Sequence, residues 1–220
     1  MFDIPSVNLQ HHIKYLPSQE NIGCCTASAT LLAAEMMFNK SNKPTHFSRL
    51  FLYYNTRKLQ GRIGKKGADL ALTLSSLSQF GVCPDTYWPL RRTLVDKEPN
   101  ARAYDEAIKY RLSSYEEVHN HDYKKYIDDG IPVIVGMFTG RKFWTLNGPI
   151  ASQSYKPINN DDNRQSKGHA VTIMGYSDIL NGGSWIIANS LGTKWGDKGY
   201  AAIPYACNVD IGEAFAILKF

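Results

Sequence analysis

Apolar residues recur at Ala27, Leu31, Ala34 and Phe38. The i, i+4, i+7, i+11 spacing predicts one apolar stripe on a helix that begins near Cys25. Gly23 bounds that helix before it, and Asn39-Lys40-Ser41-Asn42 after it. Ser48 reads as the cap of a second helix carrying Phe51 and Tyr54. A third helix carries Leu70, Leu74 and Leu77 and is expected to stop at a left-handed Gly81. Residues 101–112 predict a fourth. The pattern then changes: Asp122 predicts the cap of a short helix ending at Gly130, and 131–138 read as a buried strand. Runs rich in Val, Ile and aromatics predict further strands at 169–176, 184–189, 199–203 and 214–218. The polar stretch 145–167 predicts a long functional loop. Helices followed by strands predict an α+β fold in a single domain spanning 1–220. A helical lobe, roughly 13–112, would pack on a strand-rich lobe, roughly 113–220, that also receives the N-terminal residues. The cleft between the lobes is the expected site.

Composition narrows the function classes. The chain has 220 residues, 43% hydrophobic and 20% charged, with a net charge of +5. No run of Lys and Arg exceeds two residues, as in Lys65-Lys66 and Arg91-Arg92, so no nucleic-acid partner is expected. No apolar run approaches the about 20 residues needed to cross a bilayer, so no membrane partner is expected. The opening MFDIPSVNLQHHIKYL lacks a basic segment followed by an apolar one, unlike a secretory signal. A soluble, cytoplasmic protein is the expectation; export by a route without such a signal, or association with a virion or host cell, is the alternative. The oligomeric state is open, with a monomer favoured. Four cysteines, Cys24, Cys25, Cys83 and Cys207, are too few for a disulfide scaffold and point mildly to a reducing compartment. His11-His12 and His119-x-His121 lack the accompanying ligand spacing of a zinc site and read as surface histidines. Neither a metal nor another cofactor is expected.

Three segments carry candidate chemistry. In Gln19-Glu-Asn-Ile-Gly-Cys-Cys-Thr-Ala-Ser28, Cys25 stands where the helical stripe begins. Unpaired amides and the positive dipole end at a helix N-terminus favour the thiolate, the form that attacks carbonyl carbon. Taken alone, two small core cysteines are the plainer account. In Gly168-His-Ala-Val-Thr-Ile-Met-Gly-Tyr176, His169 opens an apolar strand, where a histidine is most often structural. In the stretch from Trp185 to Tyr200, Asn189 closes a later strand. Its amide oxygen there can accept from an imidazole and fix the tautomer.

Together and in this order, these segments resemble the papain/cathepsin family of cysteine peptidases, in its compact bacterial or viral type without a propeptide. The family's Gln-Gly-x-Cys-Gly-Ser-Cys-Trp is matched here at the glutamine, inner glycine and final cysteine. Its His-Ala-Val followed by Gly-Tyr is intact from His169 to Tyr176, and Asn-Ser-Trp-Gly-x-x-Trp-Gly-x-x-Gly-Tyr is intact from Asn189 to Tyr200 except at Leu191. Two connecting segments, at residues 81–89 and 130–136, also look like those of compact members. His169 follows Cys25 by 144 residues (169 − 25), inside the about 130–150 this signature shows. Asn189 follows Cys25 by 164 (189 − 25), slightly beyond that interval.

The resemblance implies a two-lobed fold with a β-barrel-like second lobe and an endopeptidase acting on a polypeptide substrate. Cys25 would be the nucleophile, His169 its base and acid, Asn189 the residue orienting His169, and Gln19 an oxyanion donor. Gly67, Ala68, Gly168, Ala170 and Leu191 would contact substrate. Glu213 would reach the floor of the specificity pocket, though a surface glutamate is the simpler account. Several positions depart from the family. Thr26 and Leu191 stand where tryptophans are usual, and loss of the second predicts a wetter His–Asn bond. Cys24 replaces a serine, and Ile22 replaces a cysteine of a disulfide. A weakly active or inactive peptide-binding homologue, and a transamidase or deamidase on the same fold, are the alternatives.

Overall fold

The computed structural model describes residues 7–40, 45–150, 153, 155–158 and 166–220. The first described element is a two-residue strand, β1 (Val7–Asn8), which the sequence pattern did not predict. Helix α1 spans Cys25–Lys40, so the cysteine is its first residue. The expected stripe is there: Ala27, Leu31 and Ala34 are fully buried in a core shared with the helices that follow. A second face, Leu32 and Met36, is equally buried but belongs to the core of the sheet. The helix is therefore packed on both sides, and one apolar stripe described half of it. Part of its expected boundary, Ser41-Asn42, lies outside the described residues.

Helix α2 (Arg49–Leu59) is capped as expected, the Ser48 hydroxyl accepting from the Phe51 N–H. Helix α3 (Leu70–Phe80) starts at an Asp69 cap, whose carboxylate accepts from the Leu72 N–H. It ends at Gly81, whose φ of 72° suits glycine while its ψ of −158° is extended rather than left-handed helical. A Cβ there would lie 2.0 Å from the Ala107 carbonyl oxygen, so close packing as well as φ demands glycine. The fourth predicted helix is shorter than expected. Helix α4 (Ala101–Ala107) tightens into a 3-10 turn at Ile108–Tyr110. Helix α5 (Tyr123–Asp128) begins after Asp122, but the Asp122 side chain makes no capping bond because its backbone is already helical.

The strands are β2 (Ser114–Glu117), β3 (Val133–Thr139), β4 (Lys167–Ser177), β5 (Ser184–Ala188), β6 (Tyr200–Pro204) and β7 (Ile211–Lys219). All pairings are antiparallel, in the order β2-β7-β3-β4-β5-β6, with β1 joined to β4. Among the described residues β2 does not bond to β6. The sheet is not closed into a barrel, and with the helices it forms the expected α+β two-lobed arrangement. Its central strands β3 and β4 are buried over most of their length, which explains their continuous apolar runs. Strand β2, Ser-Tyr-Glu-Glu, escaped prediction because it is a half-exposed edge with little apolar signal. Part of the predicted 145–167 loop, including 159–165, lies outside the described residues. Its entry is a 3-10 turn at Arg141–Thr145. No helix among the described residues is long and apolar enough to cross a membrane.

The lobes meet along α1. Ile134, Ala170, Phe215 and Ile217 of the sheet belong to the helical core, and the Thr172 hydroxyl donates to the Ala29 carbonyl across the seam at 3.0 Å. One charge on α1 is buried: Glu35 accepts two bonds of 2.8 Å from the Arg49 guanidinium and one from the Phe47 N–H. Burial alone would raise its pKa, but Arg49, His46 and the backbone amide hold it below the ordinary carboxylate value of 4.5. Because the folded-state pKa is depressed, this contribution to stability is present above the unfolded value and fades as pH falls through the folded one. Arg49→Ala would strand the Glu35 carboxylate. We expect a loss of about 3–5 kcal/mol, read at neutral pH by urea denaturation, with a smaller difference from wild type in acid.

Candidate active site

A cavity of about 490 Å³ opens on the seam between the lobes. Helix α1 contributes Cys25 and Thr26 to its wall, the segment before α3 contributes Gly67, Ala68 and Asp69, and β4 contributes Gly168, His169 and Ala170. The start of β7 supplies Gly212 and Glu213. The antiparallel register explains how the sheet delivers His169: it faces Met137, and Gly136 pairs with both Ala170 and Glu213. A side chain at position 136 would fill this space, since its Cβ would lie 3.0 Å from Glu213.

All four cysteines are free, and only Cys25 is less than fully buried. Burial pushes the Cys24 thiol up to about 11 and those of Cys83 and Cys207 to about 12, which makes them inert core residues. Adjacent Cys24 and Cys25 therefore have separate fates. The first side chain enters the helical core and contacts the Ser28 hydroxyl at 3.8 Å, and the second faces the cavity. Burial also raises the Cys25 thiol above its ordinary 9.0, opposed first by the backbone amide of Ala170 in β4 and then by those of Thr26 and Cys25. The last two are unpaired donors of a helix N-terminus. The cavity wall also holds the Thr26 hydroxyl, buried without a hydrogen-bond partner.

The imidazole of His169 is 4% exposed, and its Nε2 lies 2.8 Å from Oδ1 of Asn189, itself 1% exposed. That oxygen also accepts from the Ser190 N–H at 2.8 Å, which identifies it as the acceptor end of the amide. Nε2 must then carry the proton, and in the neutral ring Nδ1 keeps its lone pair. Burial lowers the imidazole pKa from 6.5 to about 4, only partly countered by Asn189. The amide nitrogen of Asn189 is buried without a partner.

Loss of a tryptophan at Leu191 does not wet this bond, contrary to the sequence expectation. The Trp144 ring centroid lies 5.0 Å from that of His169, and Phe143 packs edge-on at 5.5 Å. The Trp195 indole ties this turn down by donating to the Phe143 carbonyl at 2.7 Å. Sequence reasoning missed Phe143 and Trp144 because two adjacent aromatics between a strand and a polar loop give no periodic signal.

Gln19 does not line the cavity. It belongs to a segment joined to the asparagine segment by the Ser18–Leu191 bridge, by the Gln19 N–H to the Ser190 carbonyl at 2.7 Å, and by the Ser190 hydroxyl to Gln19 Oε1 at 2.7 Å. With Oε1 serving as acceptor, the NH2 end of the amide is the one left to donate. Leu191 is also absent from the cavity wall, which removes it from the set of residues around this pocket; Gly67, Ala68, Gly168 and Ala170 do line it. Glu213, for which a surface position was the simpler account, is a wall residue. Its pKa is raised by burial and by the neighbouring carboxylates of Asp69 and Glu117.

Comparison with known proteins bears on family and fold. The family model described as "Papain family cysteine protease" matches residues 2–217. An uncharacterized peptidase C1-like protein of Acanthamoeba polyphaga mimivirus is 28% identical over 85% of this chain and 63% of its own length. "Peptidase 1" of Dermatophagoides farinae is 28% identical over 69% of this chain and 46% of its own. The chain thus spans between about half and just under two thirds of these relatives. Among solved structures, xylellain, a cysteine protease from Xylella fastidiosa, superposes with a TM-score of 0.84. It is 27% identical, and the match covers 99% of this chain and 87% of that one.

Trp144→Ala would admit water to the imidazole. Because desolvation is what depresses His169, its pKa should rise from about 4 toward the ordinary 6.5, as read by NMR titration of the ring protons.

Proposed function

The chain belongs to the papain family of cysteine proteases, and from that premise we propose that it hydrolyses peptide bonds of polypeptides through an acyl-enzyme on Cys25. The observation that carries the reading is the Nε2–Asn189 bond, which leaves a lone pair on Nδ1 of a histidine sharing one cavity with the half-buried thiol. In this reading Nδ1 takes the thiol proton, forming a thiolate–imidazolium pair. Burial opposes each charge separately. Each charge therefore depends on the other and, for sulfur, on the backbone amides of Ala170, Thr26 and Cys25. The sulfur attacks the scissile carbonyl carbon. The oxyanion is received by the Cys25 N–H and the Gln19 amide, an interaction of about 3 kcal/mol in comparable sites. His169 gives its proton to the leaving amine, then takes one from water as that water releases the acyl group and regenerates the thiol.

Substrate main chain would lie along Gly67 and Ala68 on one wall, with Gly168 and Ala170 opposite. Glu213 and Asp69 bring carboxylates to the same cavity, with neither found in an ion pair among the described residues. They support a preference for a basic side chain in that pocket. Since Glu213 is raised above the ordinary 4.5, it loses its charge at a higher pH than a free glutamate. The preference should be held above that raised value and weaken as pH falls through it. Glu213→Gln should lower kcat/KM for arginine relative to leucine substrates and abolish this pH dependence.

Cys25→Ala should remove turnover with the fold intact, because the change adds no bulk. Near-wild-type activity in that variant, or failure of a vinyl sulfone to modify Cys25 in the native chain, would point to a binding protein instead. Mass spectrometry of products checks the reaction class, since main-chain hydrolysis creates new termini whereas transamidation and deamidation do not. In His169→Ala the thiol should alkylate with iodoacetamide only above its ordinary pH range, because burial without the imidazolium raises its pKa. Asn189→Ala should lower the rate by a smaller factor than His169→Ala, because Asn189 orients the base without exchanging a proton.

A further inference from the structure

Residues 61–66 form an exposed loop, and Gly67 and Ala68, which follow it, line the cavity. No core packing holds this loop, and with all four cysteines free no disulfide does either. What holds it is one buried cation. Arg57, in the last turn of α2, is 1% exposed. Its guanidinium donates to the Asp96 carboxylate at 2.6 Å, to the Lys65 carbonyl at 3.3 Å and to the Val95 carbonyl. Its flat face stacks on the Tyr53 ring, 4.0 Å from the centroid. Both partners continue into the loop: Asp96 accepts from the Gly64 N–H at 3.2 Å, and the Tyr53 hydroxyl accepts from the Gly67 N–H at 3.0 Å. The Arg57 carbonyl accepts from the Arg62 N–H at 2.8 Å.

We propose that Arg57, acting through Tyr53 and Asp96, is the positioning residue of the substrate-binding edge, holding Gly67 in register with the nucleophile. The inference rests on the peptidase reading above. Gly67 has a φ of 81°, and a Cβ there would meet nothing within 4 Å, so its conformation rather than crowding calls for glycine. Glycine at that point leaves the backbone free to move unless something else fixes it. The hub does so from beneath, and the loop lies against the residue next but one before the catalytic thiol: a Cβ on Gly23 would be 3.7 Å from the Gly67 nitrogen. Lysine cannot replace this arrangement, because a single ammonium has neither the planar fork nor the stacking face that reaches three acceptors and a ring together.

The test uses the full chain and two reagents for Cys25. Iodoacetamide reports the thiol alone, whereas a peptidyl vinyl sulfone must first pair with the substrate edge. For Arg57→Lys and for the single-atom deletion Tyr53→Phe, we expect inactivation by the vinyl sulfone to slow about tenfold while the iodoacetamide rate stays within about twofold. In hydrolysis the same variants should raise KM and leave kcat near wild type. A merely structural role would slow both reagents together, and that outcome overturns the inference, as does wild-type behaviour with both. Tyr53→Phe keeps the test decisive should Arg57→Lys fail to fold. If wild type reacts with iodoacetamide but never with the peptidyl reagent, the peptidase reading itself fails.

Discussion

The burial of α1 on both faces is the constraint from which the rest of the molecule follows. A helix whose Ala27, Leu31 and Ala34 belong to one core and whose Leu32 and Met36 belong to another can satisfy both only at the seam. Its first residue, Cys25, then opens onto the surface where the lobes part. The Thr172–Ala29 bond and the sheet residues in the helical core prevent the lobes from sliding along that helix. The position of the thiol relative to β4 is thus a packing property before it is a chemical one.

Electrostatics at the seam work against their surroundings. The same burial that excludes water raises Cys25 and drops His169 to about 4. Polar groups aimed at chosen atoms counter it: the backbone amides of Ala170 and of the helix start at the sulfur, and Asn189 at Nε2. Such preorganised dipoles are most effective where solvent is excluded. Phe143 and Trp144 maintain that exclusion from a turn that precedes the strand they protect. The shielding comes from a different part of the chain than the Leu191 position where the family resemblance placed it.

Elsewhere buried charge acts as a fastener. Glu35–Arg49 links α1 to α2, and Arg57 links α2 to the segment at 95–96 and to the loop before α3. Both arginines are in α2 and both are nearly inaccessible. A planar guanidinium satisfies several acceptors at once, which suits a tie between segments distant in sequence.

Much of this was legible in the residues alone. Periodicity found α1, α2 and α3, and the start of α1 at Cys25, the start of α2 after Ser48 and the end of α3 at Gly81 were legible because caps act locally. The buried runs of β3, β4 and β5 declared themselves through composition. The segments around Cys25, His169 and Asn189 carried the family resemblance by spacing. The half-exposed β2, the change to a 3-10 turn at Ile108 and the uncapped Asp122 left no reliable trace, since each depends on neighbours distant in sequence. What only the tertiary structure decided was which groups meet: Trp144 with His169, Glu213 with the cavity, Ser190 with Gln19, and Arg57 with the loop that carries Gly67. Local patterns record the preferences of a backbone over a few residues, whereas water exclusion and the pairing of buried charge arise only when remote segments share one space.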